Sequence, residues 1–249
     1  MSVLLEVRGL GKTYGAVAAL AGLDLDVARA EVVGVCGDNG AGKSTLMRII
    51  AGAQPPSEGE MRFEGRPVAF DGPRDALTTG IAAIYQDLAL AVDQSVYQNV
   101  FMGSELTRPT SVPGLERLDK RAMRERSRGF LEQIGIALPS VDQPVSRLSG
   151  GQRQAVAICR ALRWQAKLVI MDEPTAALGV REKARVLELI RRLRDTGVAI
   201  LLVSHNMDDV VAVTDRVVIL RGGRKIGEVA TGDTDADRLS HMVMSGRVA

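Results

Sequence analysis

The chain has no apolar run that approaches the roughly twenty residues needed to span a lipid bilayer. Its first eight residues also lack the basic segment, the apolar stretch and the cleavage site of a secretory signal peptide. Both absences argue against a membrane-spanning or secreted protein. We therefore expect a cytoplasmic protein, which would need a membrane-spanning partner for any work at a membrane.

Cysteine is scarce, and no charge of one sign dominates. Cys36 and Cys159 both lie among apolar residues, which is typical of small buried side chains rather than of a disulfide or a metal pair. The 32 Lys and Arg residues nearly balance the 30 Asp and Glu residues, for a formal net charge of +2. Because no overall electrostatic footprint for nucleic acid results, we expect no nucleic-acid partner.

At 249 residues the chain is long enough to bury a sizeable core. Continuous apolar runs at 32–36, 168–171 and 198–203 are typical of buried parallel strands. Strand-like segments at 3–9 and 18–27 predict an antiparallel region ahead of the first run. The pattern predicts an α/β fold with a mainly parallel core sheet and an N-terminal antiparallel β subdomain.

Between residues 91 and 163 the sequence pattern becomes typical of helices, and a loop that contains Pro and Gly interrupts it at 107–114. The charged run at 116–128 mixes both signs, which is typical of a solvated helix face. We divide a single domain, 1–249, into three parts. These are a core with the β subdomain (1–90 and 164–230), a helical subdomain (91–163) and a C-terminal helix with a tail (231–249).

A glycine-rich segment follows the first buried strand and matches the phosphate-loop pattern G-x-x-x-x-G-K-[ST]. Its glycines allow backbone N–H groups to wrap around a polyphosphate at the start of a helix. Lys43 would bind the β- and γ-phosphates, and Ser44 would give its hydroxyl to Mg²⁺. A plain glycine-rich turn is the alternative, and the Lys-Ser pair in register argues against it. We predict a P-loop NTPase site formed by Gly37, Asp38, Asn39, Gly40, Ala41, Gly42, Lys43, Ser44 and Thr45.

Polar residues end three further strands of the predicted sheet. Asp172 and Glu173 follow the run at 168–171, where open α/β sheets place their ligands. Asp172 could hold Mg²⁺, and Glu173 could orient or deprotonate a water. Gln86 and His205 end two other apolar strands. A glutamine there can bridge metal and water, and a histidine can contact the γ-phosphate. The alternative for Asp172 and Glu173 is a solvated acidic turn, and the alternative for His205 is an ordinary hydrogen-bonding residue. The phosphate loop favours the functional interpretation.

A second glycine segment, Leu148-Ser-Gly-Gly-Gln152, opens another predicted helix. Paired glycines after a serine at a helix start form a second anion site. One nucleotide does not need two phosphate cradles so far apart in the chain. The second cradle is useful if it closes on the nucleotide held by another copy.

In their order, these motifs resemble those of the nucleotide-binding subunit of an ATP-binding cassette (ABC) transporter, over nearly the whole chain. The resemblance implies that Tyr14 stacks on adenine, that 37–45 is the Walker A loop, and that Gln86 belongs to the Q-loop. It further implies that Asp172 and Glu173 are the Walker B pair and that His205 is the switch histidine. The signature motif would contribute Ser149, Gly150, Gly151 and Gln152 to ATP binding, and the Mg²⁺ ligands would be Ser44, Gln86 and Asp172.

The resemblance also implies partners. Family members work as a head-to-tail dimer with two ATP molecules sandwiched between one subunit's Walker A loop and the other's signature motif. This chain would pair with itself or with a homologous cassette, on the inner face of the cell membrane. Residues 86–90 and the helical insert would contact transmembrane permease subunits, and an extracytoplasmic solute-binding protein would belong to the same system.

One position departs from the family pattern. The loop after the Walker B strand commonly ends in aspartate, whereas here Gly179 ends the segment 176–179. The segments around 86–90, 173–180 and 204–207 resemble importers of ribose, xylose and fructose. We therefore expect an ATPase subunit that drives uptake of a monosaccharide, with Glu173 as the base and Lys43 and His205 stabilising transferred charge.

Other functions share part of this pattern. An exporter or an amino-acid importer has the same motor motifs, because these motifs do not encode the cargo. Soluble cassette ATPases that act on DNA carry far longer inserts than the roughly sixty residues between Gln86 and Leu148. A phosphate-loop kinase has no use for the second glycine segment.

Overall fold

The computed structural model describes residues 2–110, 115–176 and 178–247. Part of the loop at 107–114, one residue of the segment 176–179 and the end of the predicted tail lie outside the described residues. In chain order the strands are β1 (Val3–Tyr14), β2 (Val17–Ala28), β3 (Val32–Gly37), β4 (Glu58–Phe63), β5 (Arg66–Val68), β6 (Ile81–Ile84), β7 (Thr107–Pro109), β8 (Glu116–Leu118), β9 (Leu168–Asp172), β10 (Ala199–Val203), β11 (Arg216–Arg221) and β12 (Arg224–Ala230).

Helices connect and cover these strands. In chain order they are α1 (Lys43–Ile50), α2 (Pro73–Thr79), α3 (Val96–Phe101), α4 (Lys120–Gln133), α5 (Gly150–Arg163), α6 (Val180–Asp195), α7 (Met207–Val213) and α8 (Ala236–Ser245). Within the described part of the chain, no helix combines the length and the apolar character that crossing a bilayer requires.

The central sheet has six strands in the order β12–β11–β3–β10–β9–β6. Strand β3 pairs in parallel with β10 and β11, β10 pairs in parallel with β9, and β9 with β6. Only the hairpin partner β12 is antiparallel. The carboxyl ends of β3, β6, β9 and β10 therefore meet at one edge, and the predicted α/β fold with a mainly parallel core sheet is confirmed.

Each parallel strand is apolar on both faces because each face packs on a separate part of the core. In β9, Val169 and Met171 belong to a cluster with α3, α5 and α6, whereas Leu168 and Ile170 face a cluster that contains α1 and the antiparallel strands. This period of two explains why the sequence shows a continuous apolar run instead of an alternating one.

The predicted N-terminal antiparallel subdomain is present and is larger than expected. It is a four-stranded sheet in the order β2–β1–β4–β5, so two strands that follow the phosphate loop in sequence complete it. Its inner face packs against α1 in the second cluster. The sheet thereby covers one side of the phosphate loop.

Within the helical region expected at 91–163, the interpretation of the whole charged run at 116–128 as a helix face is wrong at the start of the run. Strands β7 and β8 form a separate two-stranded hairpin, so the charged run that begins at Glu116 starts as a strand. Thr107 donates a hydrogen bond to the Glu116 carboxylate across the two strands. The helix begins later, where the Asp119 side chain caps α4 by accepting from the backbone N–H of Ala122, at 3.0 Å. Because charged residues of both signs occur in the strand and in the helix alike, the sequence pattern does not indicate where the helix begins.

Candidate nucleotide-binding site

The phosphate loop connects the end of β3 to the start of α1, as its sequence predicts. Lys43, the first residue of α1, turns back over the loop, and its Nζ donates to the carbonyl oxygens of Gly37 at 2.6 Å and Asp38 at 2.9 Å. The ammonium group is therefore held at the mouth of the loop, where an anionic ligand would meet it.

Two loop glycines are required by backbone shape and by space. Gly42 has φ of 105°, and a Cβ there would lie 2.7 Å from the carbonyl oxygen of Ala19. Gly37 has φ of 155°, and its Cβ would lie 2.3 Å from the carbonyl oxygen of Leu220. The loop is therefore packed against β2 and β11, and only glycine fits at both contacts.

One cavity of about 1020 Å³ brings most of the predicted site residues together. The whole phosphate loop lines it, together with residues from the ends of β6, β9 and β10 that the sequence pattern predicts to meet there. The latter are Gln86, Asp172, Glu173 and His205. Residues that are far apart in the chain meet there because parallel strands end at one edge.

Asp172 ends β9 with its carboxylate half-buried in this cavity. Burial raises the pKa of Asp172, and the neighbouring Glu173 adds to the rise, whereas Lys43 and Arg48 oppose it. Among the described residues no cationic side chain pairs with this carboxylate. A carboxylate that is partly desolvated and lacks a cationic partner is suited to binding a cation.

Glu173 and His205 are in direct contact. The His205 Nδ1 lies 2.8 Å from Glu173 Oε2, and the Ser204 hydroxyl lies 3.5 Å from the same oxygen. Glu173 is largely buried, with a side chain only 16% exposed, whereas His205 is 75% exposed. The contact implies that Nδ1 carries a proton, and His205 also lines the large cavity.

The signature residues lie outside the large cavity, at the start of α5. The Ser149 hydroxyl accepts from the backbone N–H of Gln152, and the Gln152 side chain accepts from the Ser149 N–H, in a reciprocal capping box. The Glu182 carboxylate accepts from the backbone N–H of Gly150, at 3.1 Å. A smaller cavity of about 270 Å³ lies beside this helix start, and Gly150, Gln86 and Glu173 all line it.

Tyr14 is not among the residues that line the large cavity. Its ring is 47% exposed at the end of β1, its hydroxyl donates to Gln54 Oε1 at 2.6 Å, and Lys12 lies over the ring. Tyr14 pairs with Val17 across β1 and β2, and Val17 lines the large cavity. Stacking of Tyr14 on adenine stays a prediction.

Several lining residues had no signal in the sequence. Ala18 and Ala19 line the cavity from β2, and Val243 lines it from α8 near the C-terminus. Glu182 reaches Gly150 from α6. Each is an ordinary residue type for its element, and only the packing of distant elements brings it to the site. The pairing of Glu173 with His205 was likewise not expected.

Comparison with known proteins identifies relatives over nearly the full length. The chain is 43% identical over 245 residues to the xylose/arabinose import ATP-binding protein of Sulfolobus acidocaldarius, covering 98% of this chain and 95% of that protein. It is 46% identical over 242 residues to the fructose import ATP-binding protein of Rhizobium meliloti, covering 96% and 93%. The ribose import ATP-binding protein of Yersinia pestis is 42% identical, and the match covers 97% of this chain but 46% of that protein.

Solved structures have the same fold. A cassette of an ABC transporter in its ADP conformation superposes with a TM-score of 0.84 at 24% identity, over 99% of this chain and 100% of that one. A dimeric post-hydrolysis cassette bound to ADP and phosphate superposes with a TM-score of 0.73 at 23% identity, over 92% and 99%.

The family described as ABC transporter matches residues 20–176, which is more than half of the chain. This stretch contains the phosphate loop, the signature segment and the acidic pair. The family expected from the order of these motifs is confirmed: the chain belongs to the ABC transporter family.

Proposed function

We propose that this chain is the ATP-hydrolysing subunit of an importer that takes up a monosaccharide through a separate membrane permease. The observation that carries the proposal is the single cavity that joins a phosphate loop to Gln86, Asp172, Glu173 and His205. The relatives named for import of xylose or arabinose, fructose and ribose support the choice of cargo. The chain would act at the cytoplasmic face of the membrane.

The residues of the cavity fit a magnesium nucleotide. Ser44, Gln86 and Asp172 all offer oxygen ligands to the same cavity, which is the chemistry that Mg²⁺ prefers. The half-buried Asp172 carboxylate, without a cationic partner among the described residues, is a further point of fit. When bound, Mg²⁺ would neutralise charge on the β- and γ-phosphate oxygens. The backbone of residues 37–45 would hold the phosphates.

Hydrolysis would proceed by attack of a water oxygen on the γ-phosphorus. The water would lose a proton to the Glu173 carboxylate, the bond between the γ-phosphorus and the bridging oxygen would break, and ADP and phosphate would leave. His205, held by Glu173 through Nδ1, would donate to a γ-phosphate oxygen through Nε2 when both ring nitrogens carry a proton. Lys43 would exchange its two loop carbonyls for phosphate oxygens.

The site of one chain would be completed by the signature residues of a second copy or of a homologous cassette. The separation of Ser149–Gln152 from the large cavity supports this arrangement, because the two anion sites do not converge within one chain. The dimeric cassette bound to ADP and phosphate has the same fold.

A groove between the core and the helical region is where the permease would dock. Its cavity measures about 380 Å³ and lies between β6 and α2 on one side and α3 and α5 on the other. Apolar side chains of Leu77, Ile84, Met102 and Trp164 line it. An apolar groove of this kind accommodates a short helix of a partner. A solute-binding protein outside the membrane would complete the system.

The test is uptake by cells that lack this gene. Radiolabelled D-xylose, D-ribose and D-fructose are each supplied to the deletion strain carrying the wild-type chain, the Glu173→Gln chain or the Glu125→Gln chain. Glu125 is an exposed residue of α4 and serves as the matched control. We expect uptake of at least one sugar with the wild type and the control only. Failure of the wild-type chain to restore uptake of any of the three sugars would contradict the cargo, and full uptake with Glu173→Gln would contradict the mechanism.

A further inference from the structure

The segment Gln86–Leu90, here called the glutamine loop, leaves β6 at the edge of the large cavity and runs toward the helical region. It contains a tight turn in which Ala89 has φ of 47°, a left-handed conformation that alanine rarely adopts. The Asp87 side chain accepts from the Ala89 N–H, at 3.0 Å. A turn in this conformation persists when neighbouring groups hold it.

Arg160 of α5 is the group that holds this turn from the helical side. Its Nη2 donates to the carbonyl oxygen of Leu88 at 2.8 Å, and its Nη1 donates to that of Ala89 at 3.1 Å. Burial lowers the pKa of Arg160, and no ion pair with a carboxylate compensates within the described residues. A half-buried guanidinium that serves only two neutral carbonyls has a cost of desolvation, which indicates a specific role for its rigid pair of donors.

The far end of the loop is fixed as well. Asn99 of α3 is fully buried, and its side chain accepts from the Ala91 N–H at 2.8 Å and donates to the Ala91 carbonyl at 3.0 Å. The glutamine loop is therefore anchored to the helical region at both Arg160 and Asn99. A displacement of α3 or α5 would carry the loop with it.

Arg160 also lies on the helix that carries the signature residues at its start and lines the groove near its end. Helix α5 begins at the signature residues. Arg160 lies about ten residues later in the same helix, which is about 15 Å along the helix axis from Gly150. Arg160 lines the groove between the core and the helical region, together with Ala157, Ala161 and Trp164. One side chain thus touches the groove and the glutamine loop, on the helix that carries the signature.

We propose that Arg160 is a positioning residue that couples the groove to the nucleotide site, by fixing Gln86 relative to the signature end of α5. It acts through the carbonyls of Leu88 and Ala89 and does not contact the nucleotide itself. Occupation of the groove would then shift α5 and Gln86 together, and nucleotide binding at Gln86 would be transmitted to the groove. This inference rests on the proposed function, because the groove and the cavity have these roles only there.

The chain contains its own reporter for this coupling. Trp164 is the single tryptophan, lies one turn after Arg160 and lines the same groove. The Arg163 guanidinium stacks 4.4 Å from its ring, so the emission of Trp164 is sensitive to small movements of the end of α5. The purified full-length chain is titrated with Mg-ATP while Trp164 fluorescence is recorded, and radiolabelled ATP binding is measured separately by equilibrium dialysis.

We compare the wild type, Arg160→Met, Arg160→Lys and the control Arg128→Met, an exposed residue of α4. In the wild type and the control, Mg-ATP changes the Trp164 emission. In Arg160→Met this change is lost although ATP binding stays within about twofold, and in Arg160→Lys, which keeps the charge, part of it returns. In the assembled transporter Arg160→Met lowers kcat for ATP by roughly tenfold to a hundredfold with little change in KM.

The outcomes separate this inference from the proposed function. An unchanged fluorescence response in Arg160→Met, or no response to bound Mg-ATP in the wild type, overturns the coupling role of Arg160. Failure of the wild type to bind ATP or to support uptake overturns the proposed function whatever Arg160 does. Thermal unfolding of each variant identifies a general loss of structure. If Arg160→Met unfolds, Arg160→Lys becomes the deciding variant, and a full wild-type kcat and fluorescence response in it contradict the proposal.

Discussion

Glu173 is held in place through both its backbone and its carboxylate. Its φ is 49°, in the left-handed region, which costs a non-glycine residue about 1 kcal/mol or more. The backbone N–H donates to the Val203 carbonyl at 2.8 Å, and the carboxylate contacts His205. Backbone strain combined with a fixed carboxylate is typical of residues whose position matters for chemistry.

Glu173→Gln removes the proton acceptor and keeps the size of the side chain. We expect ATP turnover to fall by about a hundredfold to ten-thousandfold, because that is the usual contribution of a positioned general base. ATP binding should remain, since the phosphate loop is untouched. The measurement is steady-state phosphate release beside equilibrium binding of ATP, with Glu125→Gln as control. Turnover at the wild-type rate would show that another group takes the proton.

Asp172 carries a prediction about stability and pH. Burial first and Glu173 second raise its pKa in the folded chain. Between its unfolded pKa of about 4 and its raised folded pKa, the folded state binds more protons than the unfolded state, so stability is lost as the pH rises through this window. Asp172→Asn should raise the Tm of the ligand-free chain at pH 7 by about 2 °C. The gain should shrink as the pH is lowered toward about 4.

The same substitution should weaken metal binding, because the amide loses the negative charge. Addition of Mg-ATP should raise the Tm of Asp172→Asn less than that of the wild type. Asp93→Asn, at an exposed position, provides the control and should leave both values unchanged. A lower Tm for ligand-free Asp172→Asn at pH 7 would contradict the reasoning from burial.

At the scale of elements, the sequence alone predicts a strand or a loop where a single local pattern determines it. Strands β3, β9 and β10 are predicted because both of their faces are buried, and the phosphate loop is predicted because its chemistry demands glycine and lysine at fixed positions. The hairpin of β7 and β8 is missed because its strands are three residues long, exposed and charged. Contacts such as that of Glu182 with Gly150 depend on how separate helices pack, which no local pattern encodes.

A buried ionic network joins three elements around the site. Asp209 of α7 is 3% exposed, accepts from the Thr175 hydroxyl at 2.7 Å and pairs with Lys183 of α6 at 2.9 Å. Thr175 follows Glu173 by two residues, and Asp209 follows His205 by four. The network therefore links the segments that carry the two contacting site residues.

Lys183→Met would leave the buried Asp209 carboxylate without its cation. We expect a loss of roughly 2 kcal/mol in the free energy of unfolding, somewhat below the usual cost because the Lys183 side chain is 28% exposed. Urea denaturation followed by circular dichroism measures it. Arg62→Met, which breaks an exposed pair with Glu60, is the matched control and should cost about 0.5 kcal/mol or less. Equal losses in both variants would argue against the buried network.

At the scale of the whole molecule, one chain contains two half-sites that do not meet. The phosphate loop opens into the large cavity, and the signature residues lie at the start of α5 outside it. Within the chain, Glu182 and Ser149 already occupy the N–H groups of Gly150 and Gln152. A two-fold dimer would give each phosphate loop the signature of the other subunit, because in such an interface each contact occurs twice.

This arrangement predicts that two inactive variants restore activity when mixed. Lys43→Ala disables the phosphate loop, and Ser149→Arg places a bulky charge at the signature. In a mixed dimer one composite site carries both defects, and the other consists of an intact phosphate loop and an intact signature. If subunits exchange freely in an equal mixture, half of the dimers are mixed, so we expect up to about a quarter of the wild-type ATP turnover. Two Lys43→Ala preparations mixed together are the control and should stay inactive.

No recovery in a mixture whose subunit exchange is verified by crosslinking would mean that each chain completes its own site, or that both sites of a dimer must be intact. Full activity of Ser149→Arg alone would exclude the signature from the site altogether.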